Sequence, residues 1–397
     1  MSNPGNQPAK RIVSIDILRG AVMIIMALDH VRDFFHIHAF DDDPTNLATT
    51  TPLLFFTRWI THFCAPVFLF LSGTSAFLAG QKKTTKEHSI FLIKRGLWLV
   101  FVELIVITLG WTFNPLYNVF ILQVIWAIGC SMIILGLLVR TSLPVIFITG
   151  LIITAGHNII DYIQPPQEGP AYVVYTILFK GAFAFFPYTA QRGFLDVYAI
   201  LPWTGVMLLG YAAGKYFLPQ VTAGKRKQAL MTLGIATTLL FVVLRFINGY
   251  GDPKPWAAQT SVLYTIFSFV NTTKYPASLL YLCMTIGPAL IVLSLIGHVQ
   301  NRVSAILITY GRVPFLYYVL HFYLIHLFCV IAFFASGHGV HEIIDPNLPF
   351  LFRPVKYGFD LWVVYLVWII VVVVLYWPCK WFNRYRATHR QWWLSYI

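Results

Sequence analysis

Charged residues are scarce in this sequence. Only 11% of its 397 residues are Asp, Glu, Lys or Arg, whereas 58% are hydrophobic and 17% are aromatic. A soluble domain carries about 25% charged residues, so this composition predicts an integral membrane protein. The formal net charge of +13 does not indicate nucleic-acid binding, because no basic stripe or binding motif accompanies it.

The sequence also lacks the motifs of a metal centre or a disulfide framework. Its five cysteines are scattered through apolar runs without a CxxC pair, and no two histidines have the HExxH spacing. We therefore expect neither a bound metal nor a set of disulfides. The first apolar run carries charges and no A-x-A cleavage site, so we expect it to remain as a helix.

Long apolar runs are abundant. A helix of about 20 apolar residues crosses a bilayer, and the sequence predicts an all-α polytopic membrane protein with one domain, 1–397, and no internal repeat. The ten predicted spans are 12–35, 53–80, 90–111, 117–139, 144–163, 195–217, 228–248, 276–297, 312–335 and 360–379. A short helix at the membrane surface is predicted for the stretch 298–311.

Lysine and arginine collect on one side of this arrangement. The two ends of the chain, including Lys10 and Arg11, and the connections on the same side, such as 82–86 and 225–227, hold 15 of them, whereas the segments on the other side hold 6. The positive-inside rule then places both termini in the cytoplasm, which agrees with an even number of spans. Long loops lie on the other side, and ordered loops of that length are usually functional. These loops are 36–52, 164–194, 249–275 and 336–359.

The first predicted span contains charges where a membrane helix is normally apolar. A charge at the membrane centre costs up to about 3.5 kcal/mol, so such residues face a partner or a wet cavity. At 100° per residue, Asp16, Arg19 and His30 fall on one face, and Asp16 and Arg19 are spaced to pair. Asp29 precedes His30, and we expect its carboxylate to orient an imidazole that exchanges protons near neutral pH.

A second polar face lies next to the first one, near the outer end of the same span. It contains Arg32, Asp33 and His36, and the following loop adds His38. Two interpretations stay open for this face. Its residues belong to a functional site, or they are ordinary helix-end charges in the lipid headgroup region.

The second predicted span, 53–80, provides two further candidates. Arg58 and His62 are four residues apart and share a helix face, at the level of His30. Pro66 removes a hydrogen bond inside this helix, so we expect a kink there. A kinked helix with an Arg and a His suits the wall of a cavity. The alternative for Arg58 is that its side chain reaches the membrane surface.

The ninth predicted span begins in a polar segment and contains a histidine at its centre. Arg312 precedes Pro314 at the cytoplasmic boundary, where a guanidinium suits a phosphate group. His321 lies nine residues further, roughly 13 Å deep, and Tyr317 and Tyr318 precede it by one turn. This combination indicates the lining of a polar pathway.

Two further stretches carry polar residues of interest. The segment 271–276, which leads into the eighth span, is a candidate for contact with a ligand on the outer side. Glu103 is a lone carboxylate in the third span, for which Lys94, Arg95 or another helix would supply the partner. The polar residues thus form a line across the membrane, which suits either transport or chemistry.

Several stretches resemble the bacterial relatives of heparan-alpha-glucosaminide N-acetyltransferase, a transmembrane acyltransferase group also described as domain of unknown function 1624. They are SIDILRGAVMIIMALDHVRDFF, TRWITHFCAPVFLFLSGTSAF, LQVIWAIGCSMI, ILPWTGVMLLGYAAG, NTTKYPASLLYLCMTIGPAL and LITYGRVPFLYYVLHFYLIH. The resemblance covers most of the chain. The combination is specific to the family, whereas the S-x-D-x-x-R-G opening is shared with other membrane acyltransferases.

The resemblance implies transfer of an acetyl group from cytoplasmic acetyl-CoA to a sugar amine or hydroxyl on the far side of the membrane. The family's catalytic His follows an Asn on the first helix, and Asp29 stands where that Asn is expected. This points to His36 or His38, whereas the D-H-x-R-D pattern of the bacterial subgroup ranks His30 first. The resemblance also implies that His321 lies at the coenzyme A end of a tunnel.

We therefore predict an acetyl-CoA-dependent acyltransferase of the bacterial inner membrane that modifies a sugar or glycan. His30 is predicted as general base and Arg58 as the group that stabilises the oxyanion. The predicted catalytic set is His30, Asp29, Arg58, His62, His38 and His36. The predicted binding set for acetyl-CoA is Arg312, His321, Arg19, Asp16 and Tyr317.

The predicted partners are the lipid bilayer, acetyl-CoA and a sugar or glycan acceptor, with no metal and no nucleic acid. The oligomeric state stays open, with a homodimer as one option. The alternative function is a proton-coupled secondary transporter of a small solute or an acylated lipid. The sequence disfavours it, because no paired repeats with broken helices are present.

Overall fold

The computed structural model describes residues 12–189, 192–299, 301–389 and 391–395. It is 69% helix and 5% strand, so the prediction of a mostly helical protein is confirmed. Lys10 and Arg11, which contributed to the predicted orientation, lie outside the described residues.

Fifteen α-helices form in the described part of the chain. They are α1 Val13–Phe35, α2 Pro52–Thr61, α3 Cys64–Gly80, α4 Thr85–Val102, α5 Thr108–Thr112, α6 Val124–Leu138, α7 Leu143–Gly156, α8 Gly169–Tyr175, α9 Ile200–Ala213, α10 Ala223–Ile247, α11 Val262–Val270, α12 Leu279–Leu295, α13 Arg302–Arg312, α14 Pro314–Ala335 and α15 Leu361–Thr388. A π-helical turn, Glu103–Ile107, joins α4 to α5.

Five helical segments of the described chain are long and apolar enough to cross a membrane, which supports an integral membrane protein. They are Pro52–Gly80, Leu143–Tyr162, Ala223–Ile247, Pro314–Ala335 and Leu361–Thr388. Each of the other five predicted spans also contains a helix, but α1 carries several charges and α6, α9 and α12 are short.

The second predicted span is broken rather than continuous. Helix α2 ends at Thr61 and α3 begins at Cys64, so that Pro66 lies in the first turn of α3. A proline is tolerated there because its missing N–H would have no helical partner. The hydroxyl of Tyr281 donates to the carbonyl oxygen of His62 at 2.7 Å and so satisfies a backbone group that the break exposes.

A small sheet makes the all-α prediction incomplete. Strands β1 Val119–Leu122, β2 Ala184–Thr189 and β3 Arg192–Asp196 form it in the order β1-β3-β2. Strand β3 pairs parallel to β1 and antiparallel to β2. The beginnings of the predicted spans 117–139 and 195–217 are therefore strands.

Helix α1 lies inside the bundle, in contact with α2, α3, α13, α14 and α15. It crosses α13 at close range through Gly20 and Gly311. A methyl group at Gly20 would collide with the carbonyl oxygen of Leu307, and one at Gly311 with that of Asp16. The two glycines therefore permit a backbone-to-backbone approach that holds the polar residues of α1 in the interior.

Candidate functional site

A cavity of about 1150 Å³ opens among the helices. We call the end of the bundle that carries the loops 36–52, 164–194, 249–275 and 336–359 the loop face. Asp42 and Asp345 line the cavity at the loop face, whereas Pro314 lines it at the start of α14. On α3 the lining extends from Cys64 to Ser72, about 12 Å along the helix. The cavity therefore extends from the loop face across much of the bundle.

Nine charged residues of the described chain line this cavity, and five of them lie near one another: Asp29, Arg32, Asp33, Arg58 and Lys274. We call these five residues the cavity cluster. Arg58 donates a short hydrogen bond to Oδ2 of Asp29, and Arg32 lies 3.3 Å from Oδ1 of Asp29. Arg32 also donates to Oδ1 of Asp33 at 2.6 Å. The ion pair of Asp29 and Arg58 thus joins α1 to α2 at the cavity wall.

His30 also lines the cavity, in an aromatic environment. Its ring centroid lies 4.4 Å from that of Phe322, 5.1 Å from that of Trp111 and 5.3 Å from that of His321. The nearest carboxylate is Asp33, whose Oδ2 lies 3.7 Å from Nδ1 of His30. The side chain is 12% exposed, so the imidazole is accessible only through the cavity.

The predicted orientation of His30 by Asp29 is wrong. Both carboxylate oxygens of Asp29 face arginines, and Asp33 is the acidic neighbour of His30. The helix explains this result, because adjacent residues point about 100° apart whereas residues three apart share a face.

His321 lies behind His30, where α14 packs on α1. Its Nδ1 is 3.1 Å from the carbonyl oxygen of Tyr317. Since a carbonyl oxygen only accepts, Nδ1 carries the proton and Nε2 of the neutral ring is an acceptor. That Nε2 is buried without a hydrogen-bond partner, as are the hydroxyls of Tyr317 and Tyr318. Of His321, Tyr317 and Tyr318, Tyr318 is the one in the described cavity lining.

The segment 271–276 reaches the cavity, as the sequence suggested. Lys274 and Tyr275 both line it, together with Tyr198. The ammonium of Lys274 lies 5.0 Å from the ring centroid of Tyr275 and 5.8 Å from that of Tyr198. All four long loops of the loop face contribute residues to the lining, which makes the cavity mouth a product of segments distant in sequence.

The remaining predicted catalytic histidines lie outside the lining. His62 is buried, with its ring edge against Tyr281. His36 is buried at the end of α1, where burial and the nearby Arg32 lower its pKa to about 4. His38 is exposed and lies 3.0 Å from a carboxylate oxygen of Asp41. Within the described residues, the structure therefore brings His30 alone of these candidates to the cavity surface.

The charges near the start of α1 form a separate group, which we call the crossing cluster: Asp16, Arg19 and Arg312. Asp16 lies 3.5 Å from each arginine, so the predicted pair of Asp16 and Arg19 is present. Arg19 also donates to the carbonyl oxygen of Gly311 at 3.1 Å and to the hydroxyl of Ser75 at 2.8 Å. The cluster ties α1 to α3 and α13, and none of its three residues is in the described lining.

The sequence analysis missed the contact of Asp33 with His30, and it gave no role to Trp111 and Tyr198. Asp33 could have been found from its spacing to His30 on α1. Trp111 and Tyr198 carry no local signal, since they reach the cavity through the packing of α5 and of the segment after β3. Glu103, in contrast, accepts a hydrogen bond from the backbone of Trp126 at 2.8 Å at the start of α6.

The arrangement combines an imidazole, buried cations and a mostly apolar passage. Such a combination suits transfer of a group between two substrates that approach from opposite ends. A comparison with known protein families matches residues 11–245 to the family described as heparan-alpha-glucosaminide N-acetyltransferase, catalytic. A search of curated proteins finds no match.

Proposed function

The chain belongs to the heparan-alpha-glucosaminide N-acetyltransferase catalytic family, and we propose that it transfers an acetyl group from cytoplasmic acetyl-CoA to a sugar or glycan on the other side of the membrane. The observation that carries this proposal is the cavity, which is lined by His30 and extends from the loop face to Pro314 at the start of α14. The proposal places ten spans in a bacterial inner membrane, with both termini in the cytoplasm and the loop face outside.

The donor would enter near the junction of α13 and α14. Arg312 ends α13, its side chain is 34% exposed, and Pro314 and Phe315 of the cavity wall follow directly. Arg312 would bind phosphate oxygens of acetyl-CoA, while Asp16 and Arg19 hold that arginine in place. Apolar side chains such as Phe68 line the passage towards His30 and would accommodate the pantetheine arm.

His30 would act as the general base. It removes a proton from the acceptor amine or hydroxyl, and the freed electron pair attacks the thioester carbonyl carbon. The new C–N or C–O bond forms, the C–S bond breaks, and the coenzyme A thiolate takes the proton from the imidazolium. Asp33, 3.7 Å from Nδ1, stabilises the imidazolium, and Arg58 stabilises the oxyanion.

Acetyl-CoA binding by the purified protein, followed by release of free coenzyme A with a panel of amino sugars and glycans, tests this proposal. We expect saturable binding that weakens in Arg312→Ala, and thiol release that needs an acceptor. Absence of binding at millimolar acetyl-CoA would contradict the proposal and favour a transporter.

A further inference from the structure

The cavity cluster contains three cations and two carboxylates. Asp29 is paired with Arg32 and Arg58, and Asp33 with Arg32. Among the described residues, no carboxylate oxygen lies within 4.0 Å of the ammonium of Lys274. One positive charge of the cluster is therefore left without a counter-ion.

Lys274 is only 8% exposed, although the flexible stem of a lysine normally lets the ammonium reach water. Removing an ammonium from water costs several kcal/mol. The rings of Tyr198 and Tyr275 return about 0.5–2 kcal/mol each, and the side chain of Tyr275 is hydrogen-bonded to Lys274. The close partners of the ammonium are thus neutral, while Asp29 attracts it from a longer distance. A buried cation that lines a cavity without an ion pair is suited to bind an anionic group of a ligand.

The backbone around Lys274 is held in place by buried polar side chains. Arg245, which is 1% exposed, donates four hydrogen bonds to backbone carbonyl oxygens at 2.7–2.9 Å. The acceptors are Lys254, Ser268, Phe269 and Asn271. This arginine fixes the end of α11 and the residues just before Lys274.

Asp252 also holds the backbone next to Lys274. Its Oδ2 accepts from the backbone N–H of Thr273 at 2.8 Å and from the hydroxyl of Ser278 at 2.7 Å. The side chain of Asn271 donates to the carbonyl oxygen of Thr45 at 3.0 Å, which ties the segment to the first loop. The fold thus holds Lys274 against the cavity from several directions.

The carboxylates at the cavity mouth are bonded within their own loops. Asp42 accepts from Asn46 and Thr49, and the hydrogen bond from Thr49 keeps the pKa of Asp42 below its ordinary value. Asp345 accepts from the backbone of Asn347 and Val355, each at 2.8 Å. Asp43 accepts from the backbone N–H and the hydroxyl of Thr45 at 2.9 and 2.8 Å. These three carboxylates therefore stabilise their own loops, and none of them forms an ion pair with Lys274 within the described residues.

We propose that Lys274 is the anion-binding group of this cavity, and that the acceptor carries a carboxylate, sulfate or phosphate close to its reacting amine or hydroxyl. The segment 249–275 brings Lys274 in from the loop face, which is the acceptor side in the proposed function. The identification of the ligand as the acceptor rests on that proposed function. The residue lies beyond the family match at 11–245, so the match does not assign it a role.

Matched sugar pairs test this inference without any turnover. Binding of D-glucosamine 6-phosphate and D-glucosamine to the full chain in detergent would be measured by thermal unfolding and tryptophan fluorescence, without acetyl-CoA. D-glucuronate and D-glucose form a second pair. We expect each acidic sugar to bind at least about tenfold more tightly than its neutral partner.

Variants test whether Lys274 causes the preference for acidic sugars. Lys274→Met abolishes the preference and, by removing an unmatched buried charge, raises the unfolding midpoint of the ligand-free protein. Lys274→Arg keeps the preference. Lys254→Met, which removes an exposed lysine of the same loop, also leaves the preference intact. Equal binding of acidic and neutral sugars to the unaltered protein, or a preference that survives in Lys274→Met, overturns the inference.

Kinetics separate this inference from the proposed function. With coenzyme A release as readout, Lys274→Met raises KM for the acidic sugar more than KM for its neutral partner, whereas Lys254→Met changes neither value. A fall in kcat for every acceptor would instead make Lys274 a group that acts on the transition state, and would contradict ground-state anion binding. If coenzyme A is never released while the sugar preference depends on Lys274, the transferase proposal fails and the anion site stands.

Discussion

The crossing cluster and the cavity cluster look alike in the sequence, since both place Asp and Arg three residues apart on α1, but they differ in their surroundings. In the crossing cluster, Asp16 faces two arginines, and Arg19 also bonds α3 and α13. In the cavity cluster, the charges line an open cavity, and one of them, Lys274, forms no ion pair with any carboxylate that the structure describes.

The difference teaches that a charge in a membrane helix is not by itself a sign of chemistry. The charges of the crossing cluster are paired with one another, and Arg19 also bonds α3 and α13. They therefore hold helices together, and in the proposed function they position Arg312 for the donor. The charges of the cavity cluster are matched incompletely, next to His30 and an accessible volume. A buried charge without an ion pair is costly in a low-dielectric interior, so it points to a ligand that supplies the opposite charge.

The largest expected effect comes from His30. We expect His30→Ala to lower kcat for coenzyme A release by about 10²–10⁴-fold with little change in the unfolding midpoint. His38→Ala, which alters an exposed ring bonded to Asp41, should retain activity. Steady-state kinetics on both variants checks this, and the reverse ranking would transfer the role of general base to the loop.

Asp29 should have the largest effect on stability. Asp29→Asn leaves Arg58 and Arg32 without a full counter-charge in the interior, which we expect to cost about 3–5 kcal/mol. The double variant Asp29→Asn, Arg58→Gln should recover part of that loss. Thermal unfolding of the single and double variants measures the coupling, and strictly additive losses would show that the pair is not a buried ion pair.

Asp16 should affect stability less and chemistry indirectly. Arg19 keeps its bonds to Ser75 and Gly311 in Asp16→Asn, so we expect a loss of about 1–2 kcal/mol. Because Asp16 positions Arg312, KM for acetyl-CoA should rise while kcat stays unchanged. A fall in kcat comparable to that of His30→Ala would remove the distinction between the two clusters.

The smallest effect concerns His36 and pH. Its pKa in the folded protein is about 4 because of burial and the neighbouring Arg32, whereas the unfolded chain takes up the proton near pH 6.5. The unfolded state therefore binds more protons between these values, and stability is lost as pH falls from 6.5 towards 4. His36→Gln should flatten this part of the stability profile, and an unchanged slope would assign it to other groups.

The helical architecture could be predicted from the sequence, because apolar runs of span length have few other uses. The charges of α1 and the pair of Asp16 and Arg19 followed from helix spacing alone. The strands at the start of two predicted spans could not be identified, since a short apolar run does not distinguish a strand from a helix segment. The break between α2 and α3 was expected at Pro66 but lies just before it.

The composition of the cavity cluster was beyond sequence reasoning. The pair of Asp29 and Arg58 depends on how α2 lies against α1. The position of Lys274 depends on Arg245 and Asp252, which lie more than 20 residues earlier in the chain. Such contacts between distant segments leave no periodic pattern in the sequence.

Acetyl transfer across sealed proteoliposomes tests the central claim most directly. Radiolabelled acetyl-CoA would be supplied on the side of the α13–α14 junction, and a sugar acceptor on the side of the loop face. We predict that the label appears on the acceptor in the second compartment, that free coenzyme A stays in the first, and that His30→Ala abolishes both signals. Intact acetyl-CoA in the second compartment, or labelled sugar only on the donor side, would contradict the account.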